Sequence, residues 1–158
     1  DMSPYRLVSL SRPLSHVWLS NSNWAKCVPH SDFSHSYELC KKSPNIECKQ
    51  EYGCGLYSYA NCKLVHRQIQ EAQDFPPRCI GIVWAWGTLI EHDDGTLRSE
   101  IMDVWALCGI PYMYPRCSDY RSNFIEIATR MALPYHISAS KEETLKWLEY
   151  MSNKLMEM

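Results

Sequence analysis

A β-hairpin is the structure that the middle of this chain dictates most firmly. Residues 79–107 read CIGIVWAWGTLIEHDDGTLRSEIMDVWAL, two apolar runs on either side of an Asp-Gly turn. Alternate residues of an extended strand share a face, so Trp84 and Trp86 lie together and small residues line the other face. Apolar residues on both faces are typical of a central strand that is covered on each side. Asp94-Gly95 supplies the residue types for positive φ in a tight turn. We therefore predict a central hairpin with both tryptophans in the core.

Helical spacing of apolar residues appears on both sides of this hairpin. Before it, the apolar pattern ends at Pro76-Pro77, since proline lacks a donor and restricts the residue that precedes it. Near the end of the chain, Ser140 is a typical helix cap, with acidic residues in the turn that follows. The predicted helices cover residues 63–73, 119–131 and 140–156.

One α+β domain accounts for these elements. A chain of 158 residues is long enough to bury a core of its own, which favours a single domain over 1–158. Residues 5–20 read as one or two strands broken at Pro13. The expected architecture is a small, mainly antiparallel sheet, either open or barrel-like, with a helical part at 118–158. Residues 21–55 lack periodicity, are rich in Cys and His, and form the expected cap of the domain.

The charge balance limits the classes of partner. The net charge is −2, and no run of five or six like charges is present. A protein that binds mainly through phosphate neutralisation usually has a larger basic excess, so the balance weighs against nucleic acid without excluding it. No stretch approaches the ~18 apolar residues of a spanning helix, so no membrane partner is expected.

The start of the chain and its cysteines concern the cellular compartment in which the protein is expected. Met2 is interpreted as the natural start and Asp1 as an added residue, and no charged-then-apolar leader follows, so a cytoplasmic location is expected. Disulfides are rare in a reducing compartment, so the eight cysteines are interpreted as metal ligands and buried thiols. A disulfide framework is the alternative, although a chain of this length does not need one.

Three stretches carry a resemblance to a known family. They are CGLYS at 54–58, the hairpin from Gly81 through EHDDGTLRSE at 91–100, and IATRMALP at 127–134. On these stretches the chain resembles a family of small, uncharacterised bacterial and phage-associated proteins. Ser58 and Ser99 replace alanines of the family pattern. The resemblance implies a bacterial or phage cytosolic protein and brings no activity with it.

A structural zinc site is the candidate for what organises residues 21–55. Zinc takes four soft or borderline ligands in a tetrahedron, and Cys27 and His30 have the spacing of a ligand pair. The resemblance implies a cysteine, a histidine and two further cysteines as ligands, with His30 and Cys40 as substitutes. Four protein ligands would leave no open position for water, and the alternative is a set of thiols without metal. The implied set is Cys27, His35, Cys48 and Cys54.

The turn of the hairpin carries a polar cluster. Arg98 and Glu100 are two residues apart on a strand and share a face, and His92 lies at the strand end. Arg98 is a candidate anion clamp, and His92 or Glu100 a candidate proton-transfer group. The simpler interpretation is a solvated hairpin end with cross-strand charge pairs, as polar turns usually are.

A proline-bounded loop, CGIPYMYPRC, follows the hairpin and holds Tyr112, Tyr114 and Arg116. Tyrosines can stack on a base and an arginine can pair with a phosphate. We predict that these three residues, together with Arg98, bind a ligand. Core packing of the tyrosines is the alternative interpretation.

Three hypotheses about function follow. The first is a cytosolic, non-catalytic module that binds nucleic acid or a nucleotide-like ligand through the aromatic and arginine loop. The second is an inhibitor or accessory factor of phage or mobile-element origin that binds a protein, suggested by small size and an acidic second half. The third is an enzyme that uses His92, Arg98 and Glu100. Because no recognisable catalytic motif is present, the sequence favours the non-catalytic interpretations.

Overall fold

The computed structural model describes residues 5–16, 22–24, 56–71 and 76–157. Six strands lie in these ranges: β1 (Tyr5–Pro13), β2 (Ser22–Trp24), β3 (Leu56–Tyr59), β4 (Arg78–Glu91), β5 (Thr96–Gly109) and β6 (Tyr135–Ile137). The α-helices are α1 (Cys62–Glu71), α2 (Tyr120–Met131) and α3 (Lys141–Met156), and short 3-10 helices cover Leu14–His16 and Pro111–Met113. In the parts of the chain that are described, no helix is long and apolar enough to cross a membrane.

The predicted hairpin is confirmed as β4 and β5, which pair antiparallel over most of their length. His92 and Thr96 close the turn, because the His92 amide donates to the Thr96 carbonyl at 2.8 Å. Gly95 has a φ of 88°, a backbone conformation that glycine adopts without steric cost.

A glycine bulge bends β4 near its end. Between the pairs Trp86–Ile101 and Leu89–Ser99, two residues of β4 lie opposite Glu100 alone. The first of the two, Gly87, has a φ of 79°, as expected for the glycine of such a bulge. A bulge increases the local twist of a strand, which helps the sheet to curl.

Four of the strands close into a ring. β5 pairs with β4 and with β3, β3 pairs with β1, and β1 pairs with β4, all antiparallel. β2 and β6 also pair with β5, and the β5–β6 pairing is parallel. The mainly antiparallel sheet with its helices confirms the predicted α+β class.

The three helices lie close to their predicted positions. α3 begins after Ser140, whose hydroxyl accepts from the Glu143 amide at 3.2 Å, so the predicted cap is confirmed. Asp119 precedes α2, but its side chain makes no capping bond to a backbone amide. Its carboxylate instead accepts from the side-chain Nδ2 of Asn123 at 3.1 Å and from the Cys117 thiol at 3.2 Å.

The core lies between the ring and the helices and includes Val65, Ile82 and Phe124, all fully or almost fully buried. Trp84 and Trp86 are only half-buried and lie outside this core, which corrects the expectation for both residues. The Trp86 indole donates to the Asp103 carboxylate at 3.0 Å. This bond satisfies the indole N–H, so Trp86 can lie at the edge of the core with its polar atom paired.

Candidate ligand-binding site

The loop that follows β5 is built from successive tight turns. Amides of Met113, Tyr114 and Cys117 each donate to the carbonyl three residues earlier, at 3.0 to 3.1 Å. Pro111 lies at the start of the 3-10 helix, where an amide donor is not needed. Because its backbone groups are bonded locally, the loop holds its side chains in defined positions.

Tyr120 anchors this loop to the sheet. Its ring is 1% exposed, and its hydroxyl accepts from the Ile110 amide at 2.9 Å and donates to the Arg78 carbonyl at 2.5 Å. Burial raises the pKa of the phenol far above its ordinary value, so the hydroxyl stays protonated. The Tyr114 ring stacks on Tyr120 with centroids 5.6 Å apart and an interplanar angle of 13°. The loop is therefore tied to the core by an aromatic pair.

Tyr112 belongs to a partly buried chain of hydrogen bonds. Its hydroxyl lies 2.8 Å from His66 Nε2 and 2.8 Å from Thr144 Oγ1, and Thr144 Oγ1 lies 2.7 Å from Ser138 Oγ. Ser138 Oγ donates in turn to the Ser140 carbonyl at 2.9 Å. This chain joins α1, the loop and the start of α3.

The direction of the chain follows from His66. Its Nδ1 is buried and has no partner at hydrogen-bond geometry among the described residues, although the Gln70 side chain lies near the ring. An orphaned buried N–H is rarer than an under-used acceptor, so Nδ1 carries the lone pair and Nε2 the proton. His66 then donates to Tyr112, Tyr112 to Thr144, and Thr144 onward to Ser138 or to the Ser140 carbonyl. Burial lowers the pKa of His66, and the nearby Gln70 amide opposes that shift, so the ring is neutral at pH 7.

A cavity of about 310 Å³ lies against this loop. Its aromatic wall is formed by Tyr112, Tyr114 and Tyr120, and the Arg121 side chain contributes a positive charge. Three of its other lining residues are Pro111, Pro115 and Ser118. The volume is at the lower end of small-ligand sites, which run from roughly 300 to 1,000 Å³.

The predicted set of ligand-binding residues is divided by the fold. Tyr112 and Tyr114 line the cavity, and Arg116 is exposed on the same loop without lining it. Arg98 lies near the turn end of β5, roughly 35 Å along the strand from the loop. The structure places Arg121 at the cavity instead. Its position in the first turn of a helix that directly follows the aromatic loop was the available signal.

Two members of the polar cluster at the hairpin turn, His92 and Arg98, come together. Arg98 is 1% exposed, and its Nε donates to His92 Nε2 at 3.1 Å. Glu100 lies over Gly87, where an added Cβ would be 2.9 Å from the Glu100 Cβ and 3.0 Å from its Oε2. Because Nε2 accepts this bond, a neutral His92 carries its proton on Nδ1.

Other charges of this turn have structural partners. Asp94 accepts from the Thr96 amide at 3.0 Å and from the Thr96 hydroxyl at 2.6 Å, and the hydroxyl bond is the main reason that the Asp94 pKa is lowered. Glu91 forms an exposed salt bridge with Arg6 of β1. These contacts agree with the interpretation of the turn as a solvated hairpin end with charge pairs, whereas the burial of Arg98 does not.

The predicted zinc ligands, Cys27, His35, Cys48 and Cys54, with the substitutes His30 and Cys40, lie outside the described residues. Over 5–16, 22–24, 56–71 and 76–157, no group of three or more His, Cys, Asp or Glu side chains could hold a metal ion. In the same ranges Cys62, Cys79, Cys108 and Cys117 are free thiols.

Comparison with known proteins adds no relative: no family model, no curated protein and no solved structure matches this chain.

Proposed function

We propose that this chain is a non-catalytic binding protein that holds a nucleotide-like ligand in the cavity of the aromatic loop. The observation that carries the proposal is the combination of Tyr112, Tyr114 and Tyr120 with the guanidinium of Arg121 around one cavity of about 310 Å³. Tyrosine rings accommodate a planar base, and an arginine pairs with a phosphate through charge-assisted hydrogen bonds. The locally bonded backbone of the loop keeps these groups in place without a ligand.

The size of the cavity favours one nucleotide over a longer polymer. A duplex needs an extended basic surface, and the net charge of −2 does not favour one. A free mononucleotide and one nucleotide of a single strand present the same ring and phosphate. Arg116, exposed on the same loop, is positioned to contact a further phosphate in the second case.

The test is a calorimetric titration of the folded protein with nucleoside monophosphates and with a short single-stranded oligonucleotide. Arg121→Gln should weaken binding about tenfold, equivalent to ~1.4 kcal/mol. Arg130→Gln is the matched control, since Arg130 is an exposed arginine of the same helix that does not line this cavity. Tyr114→Leu should also weaken binding about tenfold through lost stacking.

The dependence of affinity on salt concentration distinguishes a free mononucleotide from one nucleotide of a single strand. Binding of a strand weakens steeply as salt rises, because several counterions are released, whereas a mononucleotide shows a shallow dependence. Absence of binding for every mononucleotide and for the oligonucleotide would contradict the proposal.

A second candidate function is catalysis at the hairpin turn, and the contact between buried Arg98 and His92 is the observation that favours it. An arginine held as a donor orients the imidazole, so that Nδ1–H is available to a substrate. In an enzyme, His92→Ala and Glu100→Ala would abolish turnover of the substrate while the melting temperature stays within a few degrees of wild type. Loss of folding in both variants would assign these residues to structure.

The hypothesis of a protein-binding inhibitor or accessory factor stays a prediction. Co-purification of a partner that resists nuclease treatment would support it.

A further inference from the structure

The cavity of the aromatic loop, about 310 Å³ in volume, contains many polar atoms, but the protein's own hydrogen bonds already engage most of them. A site identifies a base by offering the donors and acceptors that match the edge of that base. A group that the fold already uses can do so only if its own bond breaks. The groups that stay available therefore determine what the site can recognise.

Two of the tyrosine hydroxyls are engaged within the protein. The Tyr112 hydroxyl accepts from His66 Nε2 at 2.8 Å and donates to Thr144 Oγ1 at 2.8 Å. The Tyr120 hydroxyl donates to the Arg78 carbonyl at 2.5 Å. A hydroxyl has one proton to donate, so neither tyrosine can donate to a ligand while these bonds persist.

Tyr114 offers a ligand its ring. Stacking on Tyr120, with centroids 5.6 Å apart, covers one face of the Tyr114 ring. Burial raises the pKa of Tyr114, and the Arg78 backbone, which lies beside the hydroxyl, opposes part of that rise. The hydroxyl is therefore a neutral group held against the backbone. The other face of the ring is the part on which a planar ligand can stack.

The backbone around the cavity is engaged in the same way. Pro111 and Pro115 have no amide proton to offer. Amides of several other lining residues donate within the protein, at 2.9 to 3.3 Å, namely those of Tyr114, Cys117, Tyr120, Ser138 and Ala139. The edge of a base therefore finds few backbone donors in this cavity.

Ser118 and Arg121 supply side-chain donors that remain. Both residues are exposed, and within the described parts of the chain neither side chain makes a hydrogen bond or a salt bridge. Ser118 precedes α2, and Arg121 is the second residue of that helix. A guanidinium has donors and no acceptor, so it cannot match the donor groups of a base edge. A phosphate accepts hydrogen bonds and carries the opposite charge, so it suits this pair of groups.

We propose that the cavity recognises a nucleotide by its ring and its phosphate and does not read the identity of the base, a conclusion that rests on the proposed function. The tyrosine rings accommodate any base, since every base has a π-face. Arg121, together with the Ser118 hydroxyl, binds the phosphate. The ligand class is a nucleoside monophosphate with any of the four bases, either free or as one unit of a single strand.

The competing assignment is that Arg121 reads the edge of a guanine. An arginine can donate two hydrogen bonds to the O6 and N7 atoms of guanine, so this assignment predicts a preference for guanosine and no role for the phosphate. The two assignments differ in which part of the ligand responds to the removal of Arg121.

The experiment is a calorimetric titration of the folded chain with the monophosphates of adenosine, guanosine, cytidine and uridine. The four affinities should agree within about fivefold. Adenosine, which lacks the phosphate, and ribose 5-phosphate, which lacks the ring, should each bind at least ~10-fold more weakly than adenosine monophosphate. A preference for one base of more than about tenfold would overturn the inference.

Variants of two arginines assign the phosphate. Arg121→Gln should weaken the binding of adenosine monophosphate about tenfold and leave that of adenosine within about twofold of wild type. Arg130→Gln, the matched control, should change neither affinity. An equal loss for both ligands in Arg121→Gln would overturn the inference. Failure of all four monophosphates to bind would contradict the proposed function, and the inference with it.

A further variant tests the role of the Tyr112 hydroxyl. Because this hydroxyl serves the fold, Tyr112→Phe should change the four affinities by a common factor. A change in their ratios would show that the hydroxyl contacts the base and would overturn the inference. Ratios between ligands are measured on one protein, so partial destabilisation of the variant does not obscure them.

Tetranucleotides of dA and of dT distinguish the two sources of the ligand. If the source is a single strand, both tetranucleotides should bind more tightly than the monophosphates, with similar affinities that fall steeply as salt rises. If the source is a free nucleotide, neither should gain over the monophosphates. A difference of more than about tenfold between the two tetranucleotides would overturn the inference.

Discussion

The two ends of the β4–β5 hairpin both carry arginine, but they differ in how deeply the arginine is buried. Both ends combine aromatic residues with arginine, but the turn end buries Arg98 against His92, and the loop end leaves Arg116 and Arg121 exposed. At the turn end, β3 pairs with β5 so that Tyr57 lies opposite Arg98. At the loop end, β5 ends at Gly109, so Arg116 and Arg121 follow the end of the strand. Arg98 is therefore buried where β3 and β4 both pair with β5, whereas Arg116 and Arg121 follow the end of β5 and are exposed.

The largest difference between the two ends should appear on removal of an arginine. Arg98→Met leaves the groups around a buried guanidinium without their charged partner, and we expect the free energy of unfolding to fall by about 3–5 kcal/mol. Arg116→Met, at the exposed end, should change it by less than about 0.5 kcal/mol. Urea unfolding of both variants measures the contrast, and similar small effects would contradict the burial of Arg98. Arg98→Lys keeps the charge without the fork of donors and should give an intermediate loss.

Removal of one hydroxyl tests the anchor of the loop end. Tyr120→Phe leaves the Ile110 amide and the Arg78 carbonyl without this partner, so the free energy of unfolding should fall by about 2 kcal/mol. Tyr135→Phe is the matched control, because Tyr135 is 44% exposed. Thermal unfolding of the two variants measures the difference. Equal melting temperatures would mean that water replaces the Tyr120 hydroxyl.

The two glycines with positive φ sharpen the comparison within the turn end. Gly87→Ala introduces a left-handed alanine whose Cβ meets the Glu100 Cβ at 2.9 Å, a contact that no side-chain rotation relieves. Gly95→Ala has a similar φ, but its Cβ meets only the tip of Leu64, which can move. We expect losses of about 2 kcal/mol for Gly87→Ala and about 1 kcal/mol for Gly95→Ala in chemical denaturation. The reverse order would contradict the position of Glu100.

The smallest expected effect is a pH dependence at the loop end. Burial lowers the pKa of His66 in the folded state, so the unfolded chain binds a proton first as the pH falls. Above the pKa of histidine in the unfolded chain, about 6.5, the ring is neutral in both states and the fold has its full stability. As the pH falls through and below that value, the unfolded chain takes up the proton more readily and the free energy of unfolding decreases. The melting temperature of wild type should therefore decline more between pH 7.5 and 5.5 than that of His66→Gln. Parallel curves for the two proteins would contradict a buried, neutral His66.

Local patterns were sufficient for much of the fold. The hairpin, its Asp-Gly turn and the Ser140 cap were predicted because each depends on residues that are neighbours in sequence. The tryptophans were placed wrongly in the core, since alternation predicts which residues share a face but not how deeply that face is covered.

Long-range pairing explains what the sequence did not reveal about the candidate sites. The burial of Arg98 depends on the pairing of β3 with β5, and the contact of Tyr112 with His66 joins residues 46 positions apart. Arg121 was missed because a cavity is formed by the packing of α2 against the loop and leaves no periodic signal.

The closed ring of strands also sets the order in which the chain can acquire its structure. β1 ends at Pro13, and its longest partner, β4, begins at Arg78. During synthesis, the edge of β1 that pairs with β4 must therefore wait unpaired until β4 has left the ribosome, and the ring cannot close before β5 follows. Such exposed strand edges promote aggregation of a nascent chain. A pause in translation just after the codons for β1 should lower the yield of folded protein more than the same pause placed after β5.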